Sequence, residues 1–317
     1  MLYKLLLFPS RIALHFYCRK IIINNKAMLK NGGPLLIAAN HPNSFLDAII
    51  VGSLFKSPVY SLARGDAFAG KFVTKILSSF NMLPVYRVSE GVENLEHNYT
   101  TFQLCQKLFE ENKIVLIFSE GRCINEWHLR PLKKGTARLA FSAWGKNIPL
   151  KVLPLGINYS SFRFFGKNVF LNFGSIISYK DFSEDSVARS INRFNEKLNE
   201  QLSELVFEID KNDHQRLKNY FFVRQSFAKK ILLFIPAILG FILHAPLYFI
   251  IHLVIKNIAK DHYDSVMTAI LFLLYPLIVV SITLIFFLST GNMYSLLLLI
   301  LLPFTLWSYL QLKTQIH

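Results

Sequence analysis

The chain has 317 residues, of which 52% are hydrophobic, 14% aromatic and 17% charged, a composition that excludes a disordered protein. Three widely spaced cysteines indicate reduced thiols rather than a disulfide framework or a zinc site. The formal net charge is +15, but beyond residue 230 the basic residues are Lys256, Lys260 and Lys313 alone. This asymmetry excludes an ordinary soluble single domain and indicates anionic partners such as a membrane surface, nucleic acid or a phosphorylated substrate.

The N-terminal stretch is apolar but is interrupted by basic side chains. Arg11, Arg19 and Lys20 break it, so it lacks the uncharged core of a signal peptide and the length of a spanning helix. We predict an amphipathic helix over residues 1–30 that lies on the membrane surface with its cations toward the lipid headgroups. A helix that docks on the soluble core is the alternative.

Residues 31–210 alternate short apolar runs with longer amphipathic stretches, the change of period that is typical of an α/β domain. The predicted strands span residues 35–39, 59–62, 114–118, 152–157 and 168–173. The predicted helices span residues 42–55, 67–80, 93–111, 134–144 and 185–210.

The last third of the chain contains long runs without formal charge, at residues 231–255, 266–288 and 293–310. Each run is long enough for a helix across a hydrocarbon core of about 30 Å. We therefore predict transmembrane helices over residues 231–310. Their number is three if the first run is one tilted span, and four if Pro236 and Pro246 divide it into a helical hairpin.

Residues 211–230 form a basic and aromatic juxtamembrane segment before the first of these runs. The later short loops carry almost no basic excess, so the positive-inside rule places residues 1–230 in the cytoplasm. The sequence thus predicts a protein integral to the cell membrane, with a cytoplasmic catalytic or binding domain.

A histidine and an aspartate follow the first predicted strand. His41 comes at the junction of this strand with the next helix, and Asp47 lies six residues later. An imidazole held by a carboxylate is a general base that can take a proton from an alcohol. Facing residues of a helix lie three or four positions apart, so the two side chains meet only if His41 lies outside the helix. Taken alone, the pattern favours a capping histidine and a solvated aspartate.

Further blocks follow in order: Asn81 to Arg87, Phe118 to Arg122, Lys133 to Gly135 and Val152 to Leu155. Together with the His-Asp block, this ordered set resembles the glycerolipid acyltransferase superfamily, the PlsC-like enzymes that acylate glycerol 3-phosphate, dihydroxyacetone phosphate or lysophosphatidate. The resemblance covers about residues 20–210. It implies an α/β acyltransferase domain over residues 31–210, with a mixed central sheet flanked by helices. The C-terminal transmembrane helical region, predicted above from its apolar runs, follows this domain.

The resemblance also implies a role for each matching residue. His41 is the catalytic base, and Asp47 is its orienting partner. Arg87, which closes the second block, binds the substrate phosphate, while Glu120 and Gly121 help to hold the acceptor.

The remaining candidates come from the later blocks and from charge. By the same resemblance, Pro154 is associated with the acyl-donor side, and Lys134 belongs to the Lys-Gly pair that commonly follows the third block. A phosphate monoester favours arginine, which makes bidentate contacts, and lysine adds a point charge. Arg122 and Lys134 are therefore further candidates for binding the acceptor phosphate.

Two positions depart from the usual pattern of the superfamily. Five residues separate His41 from Asp47 where four are usual, a longer form that we associate with a subset including glycerol-phosphate acyltransferases. Ser119 stands where proline is commonest. Neither change removes a charged or titratable group.

The predicted function is transfer of a fatty acyl group from a thioester donor to a hydroxyl of lysophosphatidate or glycerol 3-phosphate, in phospholipid biosynthesis. The expected mechanism needs no metal, no cofactor and no covalent acyl-enzyme; acyl-CoA or acyl-ACP is the co-substrate, and acyl carrier protein and membrane lipids are candidate partners. Nucleic acid is not expected, since the chain carries no nucleic-acid-binding signature. The alternative is a membrane-anchored module that binds anionic lipid without catalysis.

Overall fold

The structure is a computed structural model that describes residues 2–86, 97–182, 187–257 and 262–316. The described strands form one sheet: β1 (Cys18–Ile23), β2 (Leu35–Ala39), β3 (Val59–Arg64), β4 (Met82–Val85), β5 (Ile114–Phe118), β6 (Lys151–Tyr159) and β7 (Lys167–Phe173). Their order across the sheet is β1-β7-β6-β2-β5-β3-β4.

Neighbouring strands in the middle of the sheet run parallel, from β6 through β2, β5 and β3 to β4. Ala39 at the end of β2 lies opposite Phe118 at the end of β5. The chain therefore leaves β2, β5, β3 and β4 at the same edge of the sheet. In open sheets of this kind, ligands bind beyond the carboxyl ends of the strands.

The helices that precede residue 210 are α1 (Leu2–Tyr17), α2 (Phe45–Leu54), α3 (Lys71–Ser79), α4 (His97–Glu110), α5 (Gly135–Trp144) and α6 (Val187–Leu205). Helices α4, α5 and α6 pack on one face of the sheet through residues such as Phe109, Ala140 and Leu198, which lie in one buried cluster with Leu36 and Val115. This burial of apolar stripes against apolar strands is the main source of stability for such a layer. The mixed sheet with flanking helices confirms the predicted fold class.

The sequence patterns predicted β2 and β5 residue for residue, but they missed β1 and β4. The helix expected over residues 1–30 ends at Tyr17, and the β-branched run at residues 21–23 favours the strand that follows. Strand β4 contains Pro84, which lacks an N–H group and is tolerated because β4 lies at the edge of the sheet.

The C-terminal region consists of α7 (His214–Phe221), α8 (Phe227–Ile255), α9 (Tyr263–Thr290) and α10 (Leu298–Leu312). In the described part of the chain, the segments 227–255, 263–290 and 293–312 are helical, long and apolar enough to cross a membrane. The first predicted run is one continuous helix rather than a hairpin, even though Pro236 and Pro246 lie within it. Helices α8 and α10 approach closely at Gly240, where a Cβ atom would clash with the backbone of Thr305.

The chain divides into two compact units. The first unit comprises Met1–Ser10, Ile22–Asn158 and Phe170–Asn212, and it contains the motif blocks. The second comprises Arg11–Ile21, Tyr159–Val169 and Asp213–His317, and it contains the long apolar helices.

Candidate active site

His41 and Asp47 form a hydrogen-bonded pair just beyond the end of β2. His41 Nδ1 lies 2.8 Å from Asp47 Oδ2, and the backbone N–H of Asn43 donates to the same oxygen at 2.9 Å. Because this carboxylate accepts from both, we assign the ring proton to Nδ1, which leaves Nε2 as the acceptor nitrogen. The Asp47 side chain is fully buried, whereas 19% of the His41 side chain is exposed, so the imidazole can be reached by a substrate.

The turn between His41 and α2 explains how two residues six positions apart meet. The helix predicted from residue 42 begins at Phe45, because Ser44 has a positive φ of 54°, which no α-helical residue adopts, and so interrupts the helical path. His41 therefore lies outside the helix, and Asp47 lies in its first turn. The spacing of the pair is set by this turn and not by the helical repeat.

The phenyl ring of Phe118 fixes the plane of the imidazole. The two rings are stacked, with their centroids 3.8 Å apart and their planes 11° from parallel. Phe118 ends β5 directly opposite Ala39, so the parallel pairing of β2 and β5 delivers the two rings to the same place. The sequence analysis did not identify Phe118 as a site residue. Its position immediately before the Ser-Glu-Gly block was the feature that could have indicated this role.

Glu120 joins the loop after β5 to the loop after β2. Its Oε2 accepts the backbone N–H of His41 at 2.8 Å, and its Oε1 accepts the backbone N–H of Arg130 at 2.9 Å. The side chain is buried, and this burial raises the pKa of the carboxyl group although both N–H groups oppose the shift. The folded protein therefore binds the proton of Glu120 more tightly than the unfolded chain does. As a result, the contribution of Glu120 to the free energy of unfolding falls as the pH rises from the usual pKa of a glutamate to the raised pKa.

More hydrogen bonds hold the same two loops together: Ile124 N to His41 O at 3.3 Å, Asn125 Nδ2 to Pro42 O at 2.7 Å, and Ser44 N to Cys123 Sγ at 2.9 Å. The side chain of Asn40 bonds to both backbone groups of Ile157 in β6, which fixes the end of β2 from the other side. The backbone that carries His41 is therefore held by both neighbouring strands and by the loop after β5.

Ser119 and Gly121 shape the loop after β5. The N–H of Ser119 donates to the carbonyl of Ala39 at 2.8 Å, a bond that the commoner proline could not make. Gly121 has a φ of +66°, and a Cβ atom there would lie 3.1 Å from Lys133 Cγ. The departure at position 119 thus adds a link between β2 and β5, and the glycine permits the turn that follows.

The other predicted site residues are placed less centrally or are not described. Arg122 is exposed on the loop after β5, and Lys134 is exposed with its Nζ donating to Asn192 Oδ1 at 2.9 Å. Pro154 is buried within β6, inside the sheet. Arg87 lies outside the described residues, two positions after the end of β4.

Replacing Glu120 with alanine is expected to lower kcat for acyl transfer at least about tenfold, because the backbone N–H of His41 loses its acceptor and the buried donor must reorganise. If Glu120 instead held the acceptor directly, KM for the acceptor would rise with little change in kcat. Steady-state kinetics of Glu120→Ala separate these outcomes. The control is Glu126→Ala, which removes a carboxylate of the same loop that pairs with the Arg130 side chain.

Comparison with known proteins gives a family match for the part of the chain that contains this site. Residues 20–158 match the family model described as Acyltransferase. Among solved structures, the chain is similar to the 1-acyl-sn-glycerophosphate (LPA) acyltransferase PlsC from Thermotoga maritima, with 12% identity, a TM-score of 0.43, and coverage of 65% of this chain and 78% of that one. A search of curated proteins gave no significant match.

The matched segment contains the His-Asp pair and the other four motif blocks. Residues 20–158 therefore lie in an acyltransferase domain.

Proposed function

We propose that this protein transfers a fatty acyl group from a thioester donor, acyl-CoA or acyl-ACP, to a hydroxyl of lysophosphatidate or glycerol 3-phosphate in phospholipid synthesis. The observation that carries the proposal is the 2.8 Å contact of His41 Nδ1 with Asp47 beside a partly exposed ring, at the edge of the sheet where Glu120 accepts the backbone N–H of His41. No metal or other cofactor enters the proposed mechanism.

In the proposed reaction, His41 Nε2 takes the proton of the acceptor hydroxyl while the hydroxyl oxygen attacks the thioester carbonyl carbon. The buried Asp47 carboxylate stabilises the imidazolium that forms. The tetrahedral intermediate then collapses, its C–S bond breaks, and the departing sulfur receives the proton from the imidazolium. The products are the acyl ester and the free thiol, so no acyl-enzyme is formed.

We further propose that the protein is integral to the cell membrane with its catalytic unit in the cytoplasm. The three apolar helical segments support the anchoring, and the basic residues before α8 support the orientation. A donor with a fatty chain and a lipid product both favour an active site beside a bilayer.

A direct test offers the detergent-solubilised full chain a labelled acyl donor with glycerol 3-phosphate, dihydroxyacetone phosphate or lysophosphatidate in turn. We expect a labelled ester with lysophosphatidate or glycerol 3-phosphate and none with glycerol, which lacks the phosphate. Acyl-CoA and acyl-ACP are compared as donors in the same assay. If no acceptor is acylated by either donor while lipid is still bound, the module without catalysis is the better description.

Neutralising Arg87 is expected to raise KM for the phosphorylated acceptor about 10- to 100-fold, because a guanidinium can bind a phosphate through two charge-assisted hydrogen bonds. The measurement is the acceptor concentration dependence for Arg87→Ala. The control is Arg64→Ala, which removes an exposed arginine that is paired with Asp66. Equal effects of both variants would contradict a specific phosphate contact at Arg87.

A further inference from the structure

The second unit contains a cavity of about 580 Å³ that no part of the proposed acyl transfer uses. It lies at the start of α8 and the end of α10, and its lining is amphipathic. Lys218, Lys230 and Lys313 supply positive charge, and Phe222 and Phe234 contribute apolar walls. A cavity of this size can hold a lipid headgroup with the first part of its chains.

The walls of this cavity are built from fixed contacts. The side chain of Gln315 accepts the N–H of Val223 at 2.9 Å and donates to the carbonyl of the same residue at 2.8 Å. The side chain of Gln225 donates to the carbonyl of Gln311 at 2.8 Å. These bonds tie the segment before α8 to the end of α10, and both of these segments contribute residues to the cavity walls.

Among the described residues, no acidic side chain lines this cavity. The acidic residues that the structure describes in the second unit are Asp213, which caps α7, and Asp264, which pairs with the buried Lys167. Burial, together with the positive charges of Lys167 and Arg19, lowers the pKa of Lys313 to about 8, although the negative charge of Asp264 opposes this shift. A bound anion would relieve this repulsion.

The cavity also opens onto an apolar helix face. Along the first turns of α8, Ile231, Phe234 and Ile235 are 61%, 60% and 70% exposed. Lysines at the end of an apolar segment are placed at the level of lipid phosphates if that segment crosses the bilayer. The geometry thus brings together a phosphate-binding set of cations and a surface for acyl chains.

We propose that this cavity binds the phosphate of an anionic glycerophospholipid, whose acyl chains lie along the exposed face of α8. The proposal rests on the membrane placement proposed above and is independent of the reaction at His41. A lipid accounts for both kinds of wall, whereas inorganic phosphate would leave Phe222 and Phe234 without a role. A zwitterionic headgroup would bring its own cation next to the lysines.

The test uses the full chain in detergent, in the His41→Ala background so that no lipid is turned over, with dioleoyl phosphatidylglycerol as the probe. Native mass spectrometry or tryptophan fluorescence measures its apparent Kd. We expect phosphatidylglycerol to bind at least about tenfold more tightly than phosphatidylcholine, and Lys218→Gln/Lys230→Gln to lose about tenfold of that affinity. The matched control is Lys146→Gln/Lys256→Gln, which removes two exposed lysines outside the cavity lining and should bind like the parent.

A second variant, Phe234→Ser, should also weaken phosphatidylglycerol binding, because it removes part of the apolar wall. Equal binding of the two lipids, or equal losses in the cavity and control double variants, would overturn the proposal. Displacement of the lipid by inorganic phosphate at the same concentration would overturn the choice of a lipid. Since no acyl donor is present, these failures would leave the proposed acyl transfer untouched.

Discussion

Acyl transfer by the His41→Ala variant should fall about 10²–10⁴-fold, the contribution that a positioned general base makes to such reactions. The variant should still be extracted from membranes as folded protein, because the His41 side chain is partly exposed and the backbone bonds that hold its loop remain. Initial rates with a labelled donor, at saturating acceptor, measure the loss. Turnover that survives this substitution at the parent rate would refute the assignment of the base.

The chain offers a matched control for this experiment. His128 Nδ1 lies 2.7 Å from Glu208 Oε2, which reproduces the histidine-carboxylate pair on the surface, where both side chains are about half exposed. His128→Ala should therefore retain the parent rate. If both histidine variants lose activity equally, the cause is general damage to the first unit.

Replacing Asp47 with asparagine should lower kcat about 10²-fold or more, with little change in KM for either substrate. The amide keeps the shape of the carboxylate, but it cannot stabilise an imidazolium by charge. If its NH₂ group faces His41 Nδ1, it also moves the ring proton to Nε2 and abolishes the base. The side chain of the new asparagine must also accept a hydrogen bond from the backbone N–H of Asn43, which donates to Asp47 Oδ2 in the parent protein.

Steady-state kinetics of Asp47→Asn give kcat and KM separately, and a melting curve shows whether the variant is folded. The control is Asp66→Asn, an exposed carboxylate that pairs with Arg64. A variant with unchanged kcat would mean that Asp47 only supports the turn before α2.

Much of this fold could be predicted because its periodicity is strong. Strands β2 and β5 are short, fully apolar runs between polar turns, and they appeared where expected. Strand β4 could not be predicted from the sequence pattern, because it has only four residues and contains a proline. Proline is accepted in an edge strand, but the sequence does not show which strand lies at the edge of the sheet. The end of α1 was missed since an amphipathic stretch can continue as a helix or as a strand.

The candidate site was predictable as a set of residues but not as an arrangement. The order of the motif blocks identified His41 and Asp47, yet the contact between them depends on the positive φ of Ser44, which has no sequence signature. The bridging of two backbone N–H groups by Glu120 was also beyond the sequence, since Arg130 lies outside every motif. The Glu120 contact depends on the long-range pairing of β2 with β5, which brings the loops after these strands together.

The stack of His41 on Phe118 bears on the direction from which a hydroxyl can reach the imidazole. The free lone pair of Nε2 lies in the plane of the ring, and the phenyl ring of Phe118 covers one face of that plane. A hydroxyl that gives its proton to Nε2 must therefore approach along the edge of the ring and not over the face that Phe118 covers.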